Sequence, residues 1–367
     1  MTRIATLPNP SFYDARRAAE WGYRPDAERL FAEAIGWQMR HAVTPAAKDK
    51  FRLHLLLIDM QKDFCFPEGT LYVGGRSGTG AVDDARRIAE FIYRNLSVIT
   101  DITTTLDTHF AFQIFFAPFW ETEDGKPLAA HTLINIDPTG ALVNTDPTGK
   151  LIHANVRPRP AIAKWLCGGN YPWLMKQVRF YVEELKRGGK YLPYLWPSHC
   201  ILGSDGHALS PIIHEARMFH SLTRFAQSWS EVKGGHPLTE NYSVLRPEVL
   251  LRWDDQPLAQ KNTGFIEKLL EADAVVIGGE AASHCVKSSI DDLLDEIKVQ
   301  DPTLAAKVYV MEDCMSSVAV PDGKGGFIAD FTPEAEKALR RFRDAGMHVV
   351  KSTDPIETWD GMSALVA

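Results

Sequence analysis

Short apolar runs alternate with segments of helical periodicity along this chain, and that alternation limits the folds open to it. Leu53–Ile58 is a nearly unbroken apolar run, as is typical of a strand buried in a parallel sheet. Residues 80–95 place apolar side chains at helical spacing, and residues 98–106 are rich in Thr and Ile, as strands are. The chain therefore begins as a β-α-β unit, from which doubly wound sheets are built.

The same alternation resumes in the C-terminal half of the chain. The fold class we expect is α/β, a three-layer α-β-α architecture around a mostly parallel sheet. The predicted strands of this half are 274–277, 307–311 and 348–351, and its predicted helices are 212–229, 265–272, 284–297 and 333–345.

Two segments do not follow this alternation of strands and helices. Residues 1–50 are polar with one predicted helix at 26–40, and we interpret them as an N-terminal extension that packs on the main domain, residues 51–367. Residues 121–190 contain Asp-Pro-Thr-Gly twice, a turn signal that predicts a hairpin, and then an amphipathic helix at 173–187. We therefore predict an insertion at about 121–190 within the main domain.

The composition points to a cytoplasmic protein without nucleic-acid or membrane partners. A formal net charge of −7 argues against a nucleic-acid surface. No run approaches the roughly 18 apolar residues of a membrane span, and the first residues lack an apolar signal core. Five scattered cysteines do not suggest a disulfide framework, which favours a reducing compartment. We expect a small-molecule partner and a homo-oligomer.

Cys285 lies where a predicted strand turns into a predicted helix. The sequence from 276 to 285 reads Val-Ile-Gly-Gly-Glu-Ala-Ala-Ser-His-Cys. A thiol in this position can lie near the positive end of the helix, which favours the nucleophilic thiolate. A lone cysteine is more often a buried packing residue, so the assignment depends on what surrounds it.

Polar residues also follow the first two predicted strands, at the sheet edge where ligands bind in such folds. Asp59 can act as a general base near the cysteine or as a helix cap, and we assign the chemistry to Asp59 and the capping role to Asp63. Asp107 and His109 stand two apart at a strand end and can share a metal ion. His199 could complete a set of two histidines and one carboxylate.

Lys233 precedes two glycines, and near a cysteine its charge would favour the thiolate. With it, five separated blocks resemble the cysteine hydrolases of the isochorismatase-like superfamily, and most closely the nicotinamidases. The resemblance spans about residues 53–351 apart from the insertion. The blocks are Leu-Ile-Asp59-Met-Gln61-Lys-Asp63-Phe64, Asp107-Thr-His109, Trp196-Pro-Ser-His199-Cys200 with Gly203, Lys233-Gly with Glu240-Asn-Tyr242-Ser243, and Gly278-Gly-Glu-Ala-Ala-Ser-His-Cys285-Val.

The resemblance implies an amidohydrolase built on a six-stranded, largely parallel sheet. Its catalytic triad would be Asp59, Lys233 and Cys285. A cis peptide bond would join Glu280 to Ala281 and help to shape an oxyanion hole made of backbone N–H groups around Ala281 and Cys285. The implied reaction hydrolyses a small heteroaromatic amide such as nicotinamide to the acid and ammonia, through a thioester on Cys285, as in NAD salvage.

The resemblance further implies a metal site and a pocket for a flat substrate. Zinc is the usual ion in the family, iron or manganese are alternatives, and no organic cofactor is implied. The ion would orient the substrate rather than supply the nucleophile. The implied metal ligands are Asp107, His109 and His199, and the residues expected to contact the substrate are Phe64, Trp196 and His284.

Three departures from the family pattern leave the substrate open. Thr108 stands where many nicotinamidases carry Trp, and His284 precedes the nucleophile where an aromatic or apolar residue is usual. Glu280 adds a charge to the expected oxyanion loop. The extension and the insertion have no counterpart in the compact enzymes of the family.

Four other functions remain open from the sequence. An iron oxygenase with two histidines and one carboxylate would leave Lys233 and Cys285 without roles, and such enzymes usually have all-β barrels. A non-amidase metal-binding protein on the same fold would not need a complete triad. Hydrolases of isochorismate-like vinyl ethers lack the cysteine. Carbamoyl or ureido C–N hydrolases of the superfamily often lack the metal ligands, so the metal content separates them from a nicotinamidase.

Overall fold

The computed structural model describes residues 6–189 and 191–362. Residues 1–5 of the predicted extension and residue 190 of the predicted insertion lie outside these ranges. The helices are α1 (Ala27–His41), α2 (Lys62–Cys65), α3 (Gly80–Arg94), α4 (Pro160–Leu166), α5 (Tyr171–Gly188), α6 (Pro211–Arg224), α7 (Thr263–Glu271), α8 (Cys285–Gln300) and α9 (Thr332–Asp344). The strands are β1 (Leu53–Ile58), β2 (Ile99–Asp107), β3 (Trp120–Glu121), β4 (Thr132–Ile136), β5 (Leu142–Thr145), β6 (Leu151–His153), β7 (Arg157–Pro158), β8 (Tyr194–Leu195), β9 (Trp229–Lys233), β10 (Ala274–Gly279), β11 (Val308–Met311), β12 (Ala319–Pro321), β13 (Phe327–Asp330) and β14 (His348–Val350).

A six-stranded sheet forms the centre of the molecule. Its strand order is β14-β11-β10-β1-β2-β9, and every neighbouring pair is parallel. Since parallel neighbours must be joined by crossovers, the chain returns through helices that cover both faces of the sheet. The predicted α/β class, with three layers and a mostly parallel sheet, is confirmed.

Strand β1 shows why both faces must be covered. All six of its residues are buried, and successive side chains point to opposite faces. Leu55 and Leu57 pack in the cluster that includes α1, α3 and α6, whereas Leu56 and Ile58 pack in the cluster that includes α7, α8 and α9. Each fully buried leucine contributes about 2 kcal/mol of transfer free energy, so solvent on either face would destabilise the strand.

The sixth strand of the sheet corrects one sequence-based prediction. The helix predicted over 212–229 ends at Arg224, because Phe225 adopts a left-handed conformation with φ 50°. The chain then forms β9, which pairs with β2. β9 is an edge strand, and Trp229 and Val232 are exposed on it. It therefore lacks the apolar run by which the buried strands were predicted.

Helices α4 and α5 form much of the predicted insertion, and its strands β4, β5 and β6 belong to a second, antiparallel sheet. Its strand order is β6-β5-β4-β8, so the predicted hairpin is part of a longer meander. Both Asp-Pro-Thr-Gly segments form turns. In the first turn Asp137 accepts hydrogen bonds from the N–H groups of Thr139 and Ala141, and Gly140 has φ 86°. Helix α5 packs on this sheet.

The N-terminal extension packs on the face of the central sheet that carries α6. Helix α1 contacts α6, and its buried residues Leu30, Ala34 and Trp37 join the same apolar cluster. The fully buried Arg224 donates hydrogen bonds to the carboxylate of Asp49 and to the carbonyl of Thr44. None of the described helices combines the length and the apolar character that a bilayer span requires.

Candidate active site

The carboxyl ends of four neighbouring strands bring the predicted catalytic residues together. Asp59 follows β1, Asp107 ends β2, Lys233 ends β9, and Cys285 follows the turn after β10. The order β10-β1-β2-β9 places these ends side by side, and Lys233 lies in register with Asp107. This is the edge at which open α/β sheets bind their ligands.

The ammonium group of Lys233 is the centre of the cluster. Its Nζ lies 2.9 Å from Asp59 Oδ2, 2.9 Å from Asp107 Oδ1 and 3.6 Å from Cys285 Sγ, and it donates to the carbonyl of Asn241 at 3.0 Å. Burial opposes the charge, but Asp107 and Asp59 outweigh it and raise the pKa of Lys233 well above its usual value. The ammonium is therefore charged and links both carboxylates to the thiol.

Cys285 is the first residue of α8 and is buried. Burial raises the pKa of its thiol well above the usual value, and Lys233 opposes this effect only in part. The effect of the helix end, which was expected to favour the thiolate over the thiol, stays a prediction, and burial of the sulfur acts against it. The thiol needs a base to become a nucleophile.

Asp59 is placed to act as that base. It is fully buried, and its backbone has φ 47°, which turns the side chain out of the line of β1. Thr105 accepts a hydrogen bond from the Asp59 N–H at 2.9 Å and donates one from its hydroxyl to Asp59 Oδ1. Burial raises the pKa of Asp59, and Lys233 opposes that rise. No sequence motif indicated this role for Thr105, because it is one threonine in a run of three.

Asp107, His109 and His199 form the group that could hold a metal ion among the described residues. Their ligand atoms lie within 4.8 Å of one another. Nε2 of His109 is 2.8 Å and Nε2 of His199 is 3.5 Å from Asp107 Oδ2. Each Nδ1 lies near a backbone carbonyl, that of Gly234 at 3.1 Å and that of Pro197 at 2.8 Å. With Nδ1–H donating to these carbonyls, both Nε2 lone pairs face the carboxylate, so the three residues fit a metal ion.

Backbone contacts explain how His199 reaches a residue ninety positions earlier. The His109 N–H donates to the carbonyl of Cys200 at 3.0 Å, next to His199. Asp63 supports this loop, since its carboxylate accepts the Cys200 N–H at 2.7 Å and the Thr70 N–H at 3.0 Å. The helix-capping role predicted for Asp63 is wrong, because Asp63 lies inside α2. Its carboxylate instead holds the loop that carries His199 and Cys200.

Gln61 joins the ends of β1 and β2. Its side-chain oxygen accepts the Asp107 N–H at 2.7 Å, and its side-chain nitrogen donates to the Asp107 carbonyl at 2.8 Å and to that of His207 at 2.9 Å. The amide thus pairs with the backbone as a neighbouring strand would. Gln61 belongs to the first motif, but no role for it was predicted from the sequence.

A narrow cavity opens onto Cys285. The free space between its walls is about 30 Å³, enough for one or two water molecules. The expected substrate residues Phe64, Trp196 and His284 all line it, together with the metal ligands Asp107 and His199. The other lining residues are Leu71, Val73, Glu240, Tyr242, Ala281, Cys285 and Val318.

His284 forms an aromatic wall rather than a charged one. Burial lowers its pKa to about 3, so the ring is neutral at ordinary pH. The ring stacks on Tyr191 with centroids 5.5 Å apart, and its Nδ1 is 2.9 Å from the Ser283 hydroxyl. Tyr191 is a wall residue that no sequence motif indicated.

The loop before Cys285 contains the cis peptide bond expected between Glu280 and Ala281. Within residues 6–189 and 191–362, no acceptor for the N–H of Ala281 or of Cys285 is found. Glu280 does not add a charge to the pocket. Its carboxyl is buried beside Asp84 and accepts the Ser316 N–H at 3.3 Å, and burial followed by Asp84 raises its pKa well above the usual value.

Glu240 adds a second buried carboxyl group, this one in the cavity wall. Its Oε1 accepts the Asn241 N–H at 3.0 Å. Burial, followed by the charge of Asp107, raises the pKa of Glu240 well above its usual value. Both effects favour the protonated form of this acid in the cavity wall.

No protein-family model matches the chain. A curated relative, from Escherichia coli (strain K12), is 30% identical over 123 residues, which make up 32% of this chain and 44% of the relative. That relative is a nicotinamidase. The resemblance to nicotinamidases expected from the motifs is thus confirmed, over less than half the length of the relative.

Solved structures of nicotinamidases and pyrazinamidases are also similar to the chain. A nicotinamidase/pyrazinamidase of Acinetobacter baumanii is 19% identical with a TM-score of 0.45, covering 84% of this chain and 99% of the other. The yeast nicotinamidase bound to nicotinaldehyde is 18% identical with a TM-score of 0.45, covering 82% and 99%. A Pyrococcus horikoshii pyrazinamidase in complex with zinc is 16% identical with a TM-score of 0.41, covering 82% and 99%.

Proposed function

We propose that this protein is a metal-containing cysteine amidohydrolase. It would cleave a small heteroaromatic amide, such as nicotinamide, to the acid and ammonia through a thioester on Cys285. The observation that carries the proposal is the Lys233 ammonium, which lies within 3.6 Å of Cys285 Sγ and pairs with both Asp59 and Asp107. A thiol, a carboxylate and a cation in mutual contact are the parts of an activated cysteine nucleophile.

Acylation begins with transfer of the thiol proton to Asp59. The Cys285 sulfur then attacks the amide carbonyl, and the oxygen gains negative charge beside the N–H groups of Ala281 and Cys285. Asp59 returns the proton to the amide nitrogen, the C–N bond breaks, and ammonia leaves. The acyl group remains on sulfur as a thioester. Lys233 stabilises each anionic stage because its charge is held in place by two carboxylates.

Deacylation uses the same groups in reverse. Asp59 takes a proton from a water molecule, and the oxygen of that water attacks the thioester carbonyl. The carbon–sulfur bond breaks, the acid is released, and the proton passes from Asp59 to the Cys285 sulfur. Thr105 keeps the Asp59 carboxylate oriented through both steps.

The residues Asp107, His109 and His199 would hold the metal ion. Zinc fits two imidazoles and one carboxylate, and iron(II) or manganese(II) can use the same ligands. A bound ion would supply Lewis-acid chemistry and orient the substrate. Phe64, Trp196 and His284 would enclose a flat ring, which His284 can contact as a neutral aromatic surface. Turnover of nicotinamide in the cytoplasm would make this a step of NAD salvage.

The small size of the cavity favours a second candidate, hydrolysis of a carbamoyl or ureido group. Its volume of about 30 Å³ suits a linear group better than a ring. The metal ligands favour the heteroaromatic amide instead, since carbamoyl hydrolases of the superfamily often lack them. Substrate preference and metal content decide between the two.

The test compares Cys285→Ala with Cys167→Ala, a change at a free cysteine after α4. Ammonia release would be followed with nicotinamide, pyrazinamide, N-carbamoyl compounds and an aliphatic amide. We expect Cys285→Ala to lose at least about 10³-fold in rate and Cys167→Ala to keep the wild-type rate. Intact mass spectrometry of the quenched wild-type reaction should show the acyl group on Cys285.

Three outcomes would count against the proposal in different ways. Full activity in Cys285→Ala would overturn the thioester mechanism. Turnover of carbamoyl compounds alone would establish the second candidate. Unchanged metal stoichiometry in His199→Ala would remove His199 from the metal site.

A further inference from the structure

Residues 279–283 lead into the proposed nucleophile, and we call this segment the oxyanion loop. Its backbone is held by the segment that follows β11. The Gly279 N–H donates a hydrogen bond to the Cys314 carbonyl at 2.8 Å. The Ala282 N–H donates to the Ser316 carbonyl, also at 2.8 Å. The loop is therefore anchored on both sides of Glu280.

The Glu280 side chain adds a third contact to the same segment. It is fully buried, and its Oε2 accepts the Ser316 N–H at 3.3 Å. Its other oxygen, Oε1, is buried as well and receives no hydrogen bond from any residue that the structure describes. An ionised carboxylate would leave this oxygen desolvated without a donor, which is costly. A protonated carboxyl avoids that cost if an acceptor lies nearby.

Asp84 on α3 is that acceptor. Its carboxyl group is buried and lies within hydrogen-bonding reach of Glu280. Both of its oxygens already accept hydrogen bonds, one from Arg87 at 2.7 Å and the other from the Ser316 hydroxyl. The guanidinium of Arg87 favours an ionised Asp84. A single proton shared by the two carboxyl groups therefore belongs on Glu280.

The electrostatic surroundings agree with this position of the proton. Burial, followed by the charge of Asp84, raises the pKa of Glu280 well above its usual value. Burial raises the pKa of Asp84 too, but hydrogen bonds from Ser316 and Arg87 oppose that rise. Two neighbouring carboxyl groups in one buried site repel each other when both are ionised, so one of them keeps its proton.

The peptide group after Glu280 carries the Ala281 N–H, one of the two proposed oxyanion donors. Ala281 lines the cavity together with Cys285. Because Glu280 and Ala281 share this peptide group, contacts that fix Glu280 also limit the rotation of the N–H. A donor stabilises the oxyanion most when it already points to the place where the charge develops.

We propose that Glu280 is a positioning residue for the oxyanion. Its protonated carboxyl donates a hydrogen bond to Asp84, accepts one from the Ser316 N–H, and so holds the Ala281 N–H toward the carbonyl oxygen of the substrate. This role rests on the proposed thioester mechanism, but it belongs to a step that amides and esters have in common.

The first experiment compares two reactions of Cys285 in a Cys167→Ser background. With p-nitrophenyl acetate the sulfur bonds to the acetyl carbon through an oxyanion, p-nitrophenolate leaves, and Asp59 takes the thiol proton. With iodoacetamide the sulfur displaces iodide, the same carboxylate takes the proton, and no oxyanion forms. Peptide mapping by mass spectrometry gives both rates at Cys285.

We expect Glu280→Leu to slow acylation by about 10- to 100-fold, because the Ala281 N–H loses its fixed direction. Alkylation of Cys285 should keep the wild-type rate, since it needs no oxyanion donor. Glu280→Gln can donate to Asp84 and accept from Ser316, so it should acylate at close to the wild-type rate. In steady-state amide hydrolysis, Glu280→Leu should lower kcat with little change in KM.

Glu215→Leu is the matched control, because it removes a buried carboxyl group of α6 and should keep both rates. Normal acylation in Glu280→Leu, an equal loss of acylation and alkylation, or a Glu280→Gln as slow as Glu280→Leu would each overturn the proposal. If Glu280→Leu does not fold, Asp84→Asn takes its place, since it removes one acceptor oxygen at constant size and should also slow acylation alone.

The ester reaction separates this role from the proposed function. A wild type that is acylated by the ester but hydrolyses no amide would overturn the proposed function alone. A wild type that the ester does not acylate at Cys285 would overturn both.

Infrared spectroscopy tests the proton itself, without any reaction. The difference spectrum between the wild type and Glu280→Gln at neutral pH should contain the carbonyl band of a carboxylic acid. A carboxylate band in its place would show that Glu280 is ionised and would overturn the proposal.

Discussion

Gly234 shows how much of the candidate metal site depends on a single residue without a side chain. Its backbone has φ 85°, and a Cβ atom there would lie 2.6 Å from His109 Cε1 and 2.7 Å from Asp107 Oδ1. Its carbonyl also holds the Nδ1 of His109. The sequence showed two adjacent glycines after Lys233 but could not say which of them was required.

We predict that Gly234→Ala lowers metal affinity by about 10- to 100-fold, the usual effect of disturbing the groups that orient a metal ligand. The new methyl group must push the His109 ring or the Asp107 carboxylate aside, and the left-handed backbone adds about 1 kcal/mol of strain. Metal stoichiometry after dialysis against a weak chelator measures the effect.

Gly235→Ala is the matched control. Its Cβ would meet only Phe110 Cε2, at 3.7 Å, which is an ordinary contact. Equal metal retention by the two variants would show that Gly234 does not support the ligands.

At the scale of elements, the position of Lys233 follows from the pairing of β9 rather than from local sequence. The strand is five residues long, largely exposed and at the edge of the sheet, so its side chains carry little of the apolar pattern that reveals buried strands. Its partner β2 sets the register, and that register puts Lys233 opposite Asp107. The six-stranded sheet was expected only from the family resemblance.

A buried ion pair helps to tie the extension to the main body, beside the partly buried pair of Arg17 with Glu215. We propose that residues 1–50 are an addition to the hydrolase domain at 51–367, with 121–190 inserted into it. Arg224 on α6 is fully buried and pairs with Asp49, which also accepts a hydrogen bond from Thr100 at 2.7 Å. The N-terminal extension, helix α6 and strand β2 therefore meet at the Asp49 carboxylate.

We predict that Arg224→Met lowers the free energy of unfolding by about 3–5 kcal/mol, because it leaves the Asp49 carboxylate without its cation. Urea denaturation measures this difference. Arg52→Met is the control, since Arg52 pairs with Asp101 at 2.8 Å on the surface and should cost less than about 1 kcal/mol. Equal losses in the two variants would mean that the buried pair does not fasten the extension.

At the scale of the whole molecule, covering both faces of the central sheet buries two histidines, and burial disfavours their charged form. Burial lowers the pKa of both His54 and His220 to about 4 from 6.5. His54 lies within β1 beside the Thr103 hydroxyl, and His220 lies on α6 beside the Ile99 carbonyl. Both are buried packing residues.

These histidines predict a loss of stability in mild acid. Between pH 6.5 and 4 the unfolded chain binds protons that the folded protein excludes, so the free energy of unfolding falls as the pH falls. Above pH 6.5 both states are neutral at these sites and the contribution is constant. By pH 5 each histidine should cost on the order of 2 kcal/mol.

Urea unfolding of the wild type and of His220→Gln at pH 7.5 and pH 5 tests this prediction. Gln keeps a donor for the Ile99 carbonyl but does not titrate, so the variant should lose less stability on acidification. Comparing the two proteins cancels the contribution of the other titrating groups. Identical losses in both would show that His220 is not the cause.

The sequence by itself determined the layers of this protein and the identity of its reactive groups. Runs of apolar or β-branched residues are a local signal of strands, so β1, β2, β10, β11 and β14 could all be predicted from them. The motifs also named the residues of the proposed triad and metal site. Tertiary structure decided how those residues meet and how deeply the thiol is buried. Strand register, the left-handed Asp59 and the burial of Cys285 depend on contacts between distant segments, and the cost of burying a charge exists only once the chain has folded around it.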